Sequence, residues 1–310
     1  QLFFQFINNG TSNQNIDFIK SKFFYLDQNQ DVIFLTEMKK LRYLYQNKFL
    51  NRVNSKFEIF NLPVKLSAEH DMLENKIFKK ISFNSLRLNI QNDLHYIDNE
   101  FKGQLHLNLI NKNKTINYNL KNKNLYFSTD DNKLTGEINI KPFFLLSNLR
   151  INEIEIKKFF KNDSILVNLL KSEIFNNTNF SGKISIEANN LKDLKNINAI
   201  KFDILFQEGV TRVANIKFTF KNFVVFNIND IDVIVVNNKL KFIGDAKLNF
   251  INIDNFYSHF QIKKSYRTDI DKISSNFIFN FDDDFIELDE LKIEGIEKKI
   301  IEEFLYNFNR

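Results

Sequence analysis

Four histidines, an aspartate triplet and two serines are the residues here that invite a chemical reading. His70, His95, His106 and His259 are scattered, and none has a second His or a Glu at metal-ligand spacing. Each reads as a plain surface imidazole. His106, between Leu105 and Leu107, falls on the polar side of a strand. Asp282-Asp283-Asp284 has the charge for a cation, but it lacks the glycine and terminal glutamate of a calcium loop. It fits a hairpin turn between Phe281 and Phe285. Ser164 and Ser181 have no nucleophile-elbow context, and the isolated glycines build no phosphate loop. With no cysteine there is neither a disulfide nor a thiolate site. The expectation is a protein with no catalytic residue, no metal and no cofactor.

Charge adds little. The 43 basic and 38 acidic residues are intermixed, and no basic run is long enough to suggest a nucleic-acid surface. Lys263-Lys264 with Tyr266-Arg267 is a small basic-aromatic cluster, read as a solvated helix end rather than a headgroup contact. No stretch approaches the ~18 apolar residues of a membrane span, and no signal-peptide pattern is visible. The chain begins at Gln1 in what reads as mid-strand, so a fragment of a longer protein is expected.

The elements follow from periodicity. From Phe180 to Ile253 apolar and polar residues alternate, which gives a strand one apolar and one wet face. Ile184 and Ile186 share a face, as do Ile200, Phe202, Ile204 and Phe206, and again Ile216, Phe218 and Phe220. Asn189-Asn190, Glu208-Gly209 and Asn237-Asn238 read as the turns between them. Upstream, Leu2-Phe3-Phe4 and Phe23 to Leu26 read as strands around a polar loop from Asn8 to Asn15. Val32 to Leu35 is another strand, and Met38 to Tyr45 fits helix or strand. From Phe57 the alternation is regular through Leu120. Helices are expected near 157–175, capped at Asp163 or Ser164, near 254–265, and at 296–308. The 36 phenylalanines alone are weak evidence, because AT-rich coding raises Phe, Ile, Lys and Asn together; their alternating placement is stronger.

One repeat stands out: an apolar residue, any residue, glycine, then alternating apolar positions. It centres on Gly103, Gly136, Gly182 and Gly244, each on the apolar face. Glycine inside a strand marks a bulge, a bend or a close backbone approach, so these four are expected at bends of the sheet.

The fold class expected is mainly β: an elongated, curved, antiparallel meandering sheet with a few short amphipathic helices. The divisions are a β-rich segment at 1–56, a β-domain at 57–295 and a C-terminal amphipathic helix at 296–310. The apolar stripe has two readings. It is the inner face of a closed sandwich that packs on itself, or an open groove for an apolar ligand.

Residues 134–160, 169–191, 200–222 and 235–267, with their Gly-centred amphipathic strands and the Lys141-Pro142-Phe143-Phe144-Leu145 element, resemble the AsmA-like proteins of Gram-negative envelopes. The likeness covers about residues 57–293. It implies a U-shaped sheet with a lipid-filled groove, a periplasmic body, an inner-membrane anchor preceding this chain, and a part in outer-membrane biogenesis. The ligand it implies is a phospholipid or another acyl-chain lipid. The groove-lining residues are then Ile184, Ile186, Phe202, Ile204, Phe218, Phe220, Phe242 and Leu248. The alternative is a structural β-scaffold with a closed core and a protein partner. An outer-membrane barrel is a third reading, disfavoured by the helices that interrupt the strands.

Overall fold

Apolar-polar alternation becomes strand along most of the chain. The computed structural model describes residues 13–26, 32–46, 50–59, 62–74, 76–97, 100–109, 112–140, 143–159, 161–172, 174–197 and 199–309. The strand expected at Leu2-Phe3-Phe4, most of the Asn8 to Asn15 loop, and Lys141-Pro142 lie outside them. Among the described residues the structure is mainly β: eighteen strands in one open, mostly antiparallel sheet, with four short helices. It forms two compact units, Gln1–Leu145 and Leu146–Arg310.

In the first unit the strands are β1 (Gln14–Leu26), β2 (Val32–Gln46), β3 (Leu50–Ile59), β4 (Leu62–Asp71) and β5 (Lys76–Phe83). They continue as β6 (Leu88–Ile97), β7 (Glu100–Leu109), β8 (Lys112–Lys121), β9 (Asn124–Thr129) and β10 (Leu134–Ile140). Each pairs antiparallel with the next. The Met38 to Tyr45 segment is therefore strand: pairing with β1 on one side and β3 on the other outweighs its helical spacing. β3 runs unbroken through residues 56 and 57.

β11 (Phe143–Ile154) leads into the second unit, which holds β12 (Ser181–Leu191), β13 (Ile200–Gln207), β14 (Val210–Phe220), β15 (Val224–Val236), β16 (Lys239–Phe250), β17 (Lys272–Asn280) and β18 (Phe285–Ile293). From β12 onward each pairs antiparallel with its successor. Two-residue turns close two of the hairpins, Glu208-Gly209 and Asn237-Asn238, and all four residues have positive φ. That geometry matches the right-handed twist of the flanking strands. Asn189-Asn190 is not a turn, a correction to the sequence reading. β12 runs past them because the Lys192 N–H still finds the Ile154 carbonyl of β11 at 3.0 Å.

The helices are shorter than their periodicity suggests. The 157–175 segment splits into α1 (Ile156–Phe159), α2 (Ile165–Lys171) and a 3-10 turn at Ile174–Asn176. Ser164 caps α2, its hydroxyl accepting from the Val167 N–H. α3 (Ile253–His259) is capped by Asn252, and α4 (Lys298–Phe308) closes the chain. α4 lies against β18, with Ile301 its buried residue, and guards that strand's outer edge. The Leu288 N–H donates to Asn309 Oδ1 at 3.0 Å, and Asn309 Nδ2 donates back to the Leu288 carbonyl at 2.8 Å. A side-chain amide thus occupies backbone groups that would otherwise invite another strand.

Candidate functional site

The candidate site is the apolar face of the second unit. Alternation alone would not keep that face continuous, since Val213 and Ile216 differ in parity and so do Ile228 and Ile231. Bulges correct the register. In β14 the pairing with β13 shifts near Asn215, whose φ is +56°, and β15 shifts against β16 between Ile228 and Ile231. Val213 and Ile216 then both pack on Ile186, Phe202 and Ile204. The sequence signal was present in the apolar spacing of three, but it looks the same as a change of face.

The polar side supports the first bulge. Asp203 is buried there and accepts from Ser185 Oγ at 2.6 Å, Asn215 Nδ2 at 2.8 Å and Lys183 Nζ at 2.9 Å. Burial pushes this carboxyl up, but the bonds from Ser185, Asn215 and Lys183 outweigh it and hold it below the usual carboxylate range. The charged form of Asp203 therefore fixes the residue that re-phases the apolar face.

Two helical covers close parts of that face. α2 lies across β15 and β16, where Val167 and Leu170 pack with Ile231, Val233, Leu240 and Phe242 in one buried cluster. Leu166 reaches from α2 to the Ile186, Phe202 and Ile204 cluster. An ion pair anchors the far end of α2: Lys171 Nζ meets Asp282 Oδ1 at 2.5 Å, with side chains 15% and 17% exposed. The other Asp282 oxygen accepts from the Leu240 N–H at 2.8 Å. The aspartate triplet is a hairpin turn as expected, and its first member also locks the helix. Nothing in the sequence relates Asp282 to Lys171. The second cover is the α3 segment, where Phe260 stacks on Phe220 at 5.8 Å and Phe256 meets Phe250 edge-on at 5.2 Å.

The eight proposed lining residues therefore divide. Ile186, Phe202, Ile204 and Phe242 are buried against protein, with Ile184 beside them and Phe220 next to Phe260 and His259. Phe218 and Leu248 are partly exposed. Phe218 stacks on Phe226 of the next strand, with ring centroids 4.6 Å apart. Among the described residues, Phe218, Phe226 and Leu248 belong to none of the buried clusters. Their register neighbours tie them into one strip, Phe218 opposite Phe226 and Phe226 opposite Leu248.

The four repeat glycines share a feature that the sequence hides. Each is directly opposite an aromatic residue of a neighbouring strand: Gly103 faces Tyr118, Gly136 faces Phe127, Gly182 faces Phe206 and Gly244 faces Phe277. At Gly103 a Cβ would collide with the Tyr118 ring. The ring crosses β7 there, and its hydroxyl donates to Asn92 of β6 at 2.6 Å. At Gly244 a Cβ would meet the Asp230 carbonyl at 2.8 Å, beside the β15 bulge. An aromatic over a strand glycine covers backbone that the missing side chain leaves bare.

His106 sits between Thr115 Oγ1 at 3.2 Å and Asp93 at 3.5 Å. Among the described residues no group of three His, Asp or Glu side chains is placed to hold a metal, and no helix is long and apolar enough to cross a membrane. The chain matches no known protein family, no curated protein and no solved structure.

Proposed function

We propose that the second unit binds acyl chains of phospholipid, without catalysis, along the apolar face of its sheet. The observation that carries this reading is the partly exposed strip of Phe218, Phe226 and Leu248, set side by side by register and kept by the neighbouring bulges on the same face as the buried clusters. Leaving a methylene in water costs about 0.8 kcal/mol, and a row of phenylalanine and leucine removes that cost without a polar recognition group. In this reading the chain is part of an AsmA-like envelope protein that has a periplasmic body and an inner-membrane anchor. It serves outer-membrane biogenesis by holding or conducting lipid.

The rival reading, a closed structural scaffold with a protein partner, draws on the buried clusters under α2. One experiment separates the two. A photo-crosslinking residue at Phe218 is expected to capture phospholipid, and one at Phe242, beneath α2, is not. Capture at neither position, with no phospholipid in organic extracts of the purified protein, overturns lipid binding and leaves the scaffold.

A further inference from the structure

The polar face of the first unit carries an arrangement that repulsion alone disfavours. Register places Lys40 of β2 directly opposite Lys56 of β3, and Lys56 directly opposite Lys65 of β4. Three lysines thus form a row across three adjacent strands, where like charges directly opposite each other destabilise a sheet. The next row on the same face runs Arg42, Asn54, Ser67 and Lys80. The two rows, with Ser82 beside Lys65, line a shallow depression of about 390 Å³.

The nearby acids each pair with a cation outside the lysine row. Asp17 takes Arg42 at 2.8 Å, Glu69 takes Arg52 at 2.8 Å, and Glu58 takes Lys39 at 3.9 Å. Asp17 also feels the charge of Lys40. Among the described residues, Lys40, Lys56, Lys65 and Lys80 make no salt bridge. The face therefore concentrates positive charge, with hydroxyl and amide donors between the cations and Asp17, already paired with Arg42, as its counter-charge at one side. Strands lie about 4.8 Å apart and alternate residues of a strand about 7 Å apart, so the cationic grid spans roughly 10 by 7 Å. One phosphate meets only part of it at a time; two or three linked phosphates span it.

We propose that this depression binds a ligand carrying two or more phosphate groups, with the Lys40, Lys56 and Lys65 ammonium groups as its principal contacts. Such phosphates belong to a soluble oligophosphate or to a diphosphorylated lipid headgroup. The site lies wholly within the first unit and does not depend on acyl-chain binding by the second.

The test uses the whole chain and three probes in calorimetry or sedimentation: tripolyphosphate, orthophosphate, and phosphatidylcholine vesicles with or without cardiolipin. Tripolyphosphate is expected to bind saturably, more tightly than orthophosphate, with an affinity that falls steeply as salt rises. The K56Q/K65Q variant is expected to weaken it by about tenfold or more, since it removes two charge-assisted contacts. The same variant is expected to melt no earlier than the parent, because it relieves the like-charge row. Lysine-dependent binding of cardiolipin vesicles assigns the site to a headgroup. Tripolyphosphate binding without vesicle binding assigns it to a soluble ligand. Absence of saturable binding to both, or binding that K56Q/K65Q leaves unchanged, overturns the proposal.

Discussion

The two units follow the same alternating pattern and finish it differently. In the first, the described residues contain no helix, and their one buried apolar cluster is Tyr43 with Tyr45, set among Ile16, Leu41, Val53 and Met72. Its apolar side also admits polar groups, such as Asn92 under the Tyr118 hydroxyl. The second unit returns short helices over its sheet and has three buried clusters. A single sheet face buries apolar area only where something comes back across it. Alternation makes the face, and the return of α2 decides which part of it becomes core.

That contrast predicts where the second unit breaks. The largest effect is expected at Val167, which is 0% exposed on the sheet-facing side of α2. Val167→Asp strands a charge in the cluster and is expected to cost about 3–5 kcal/mol. Hydrogen exchange is expected to show lost protection in residues 146–310, with the first unit still protected. Equal loss in both units would mean that they fold as one.

The next effect belongs to the first unit. Gly103→Val drives a side chain into the Tyr118 ring, and the expected cost is about 1–3 kcal/mol from overpacking. Urea melts read the loss, and adding Tyr118→Ala is expected to relieve part of it. If the double variant is no better than the single one, the ring is not what excludes a side chain at this position.

The α2 anchor comes third. Burial pushes the Asp282 carboxyl up, but the bonds from Lys171 and the Leu240 N–H outweigh it, and the group sits below the usual carboxylate range. A depressed carboxyl stabilises the fold at pH above its unfolded value of ~3.9 and loses that contribution as pH falls through the folded value. The second unit is therefore expected to lose stability as pH drops below about 4. Asp282→Asn is expected to cost about 1–2 kcal/mol at pH 7 and to flatten that acid limb, as read from urea midpoints at pH 7 and pH 3. The first unit has a counterpart in Asp131, drawn down to about 2 chiefly by the Thr129 hydroxyl and then by the Lys133 N–H. Its titration, followed by carboxyl NMR, is expected near that value.

The smallest stability effect is expected on the open strip. Phe218→Glu faces water on one side, so thermal stability is expected to move by about 1 kcal/mol or less. Phospholipid capture along the strip is expected to fall sharply, because a carboxylate is costly against hydrocarbon. Unfolding of Phe218→Glu would move this strip from the open class to the core.

Strand identity was legible in the sequence because side-chain alternation is local, and Ile200 to Phe206 or Phe101 to Leu107 need no partner to declare a face. The Glu208-Gly209 and Asn237-Asn238 turns were legible for the same reason, since positive φ favours particular residue types at particular positions. Asn189-Asn190 misled because turn chemistry yields to an available partner strand, here β11. The glycine frame was visible, but the aromatic facing each glycine was not. Gly103 and Tyr118, or Gly244 and Phe277, are far apart in sequence and meet only through register. The candidate site divided along the same line. Its apolar residues were readable one by one, while the covered share, Phe242 beneath Val167, depends on Lys171 finding Asp282 across 111 positions. The lysine row is the clearest case. Lys40, Lys56, Lys65 and Lys80 sit in ordinary mixed-charge surroundings along the chain, and strand pairing places them together on one face. Local periodicity fixes which side of a strand a residue occupies. Only pairing across strands and the return of helices decide what it meets there, because those contacts depend on register and closure over long stretches of chain.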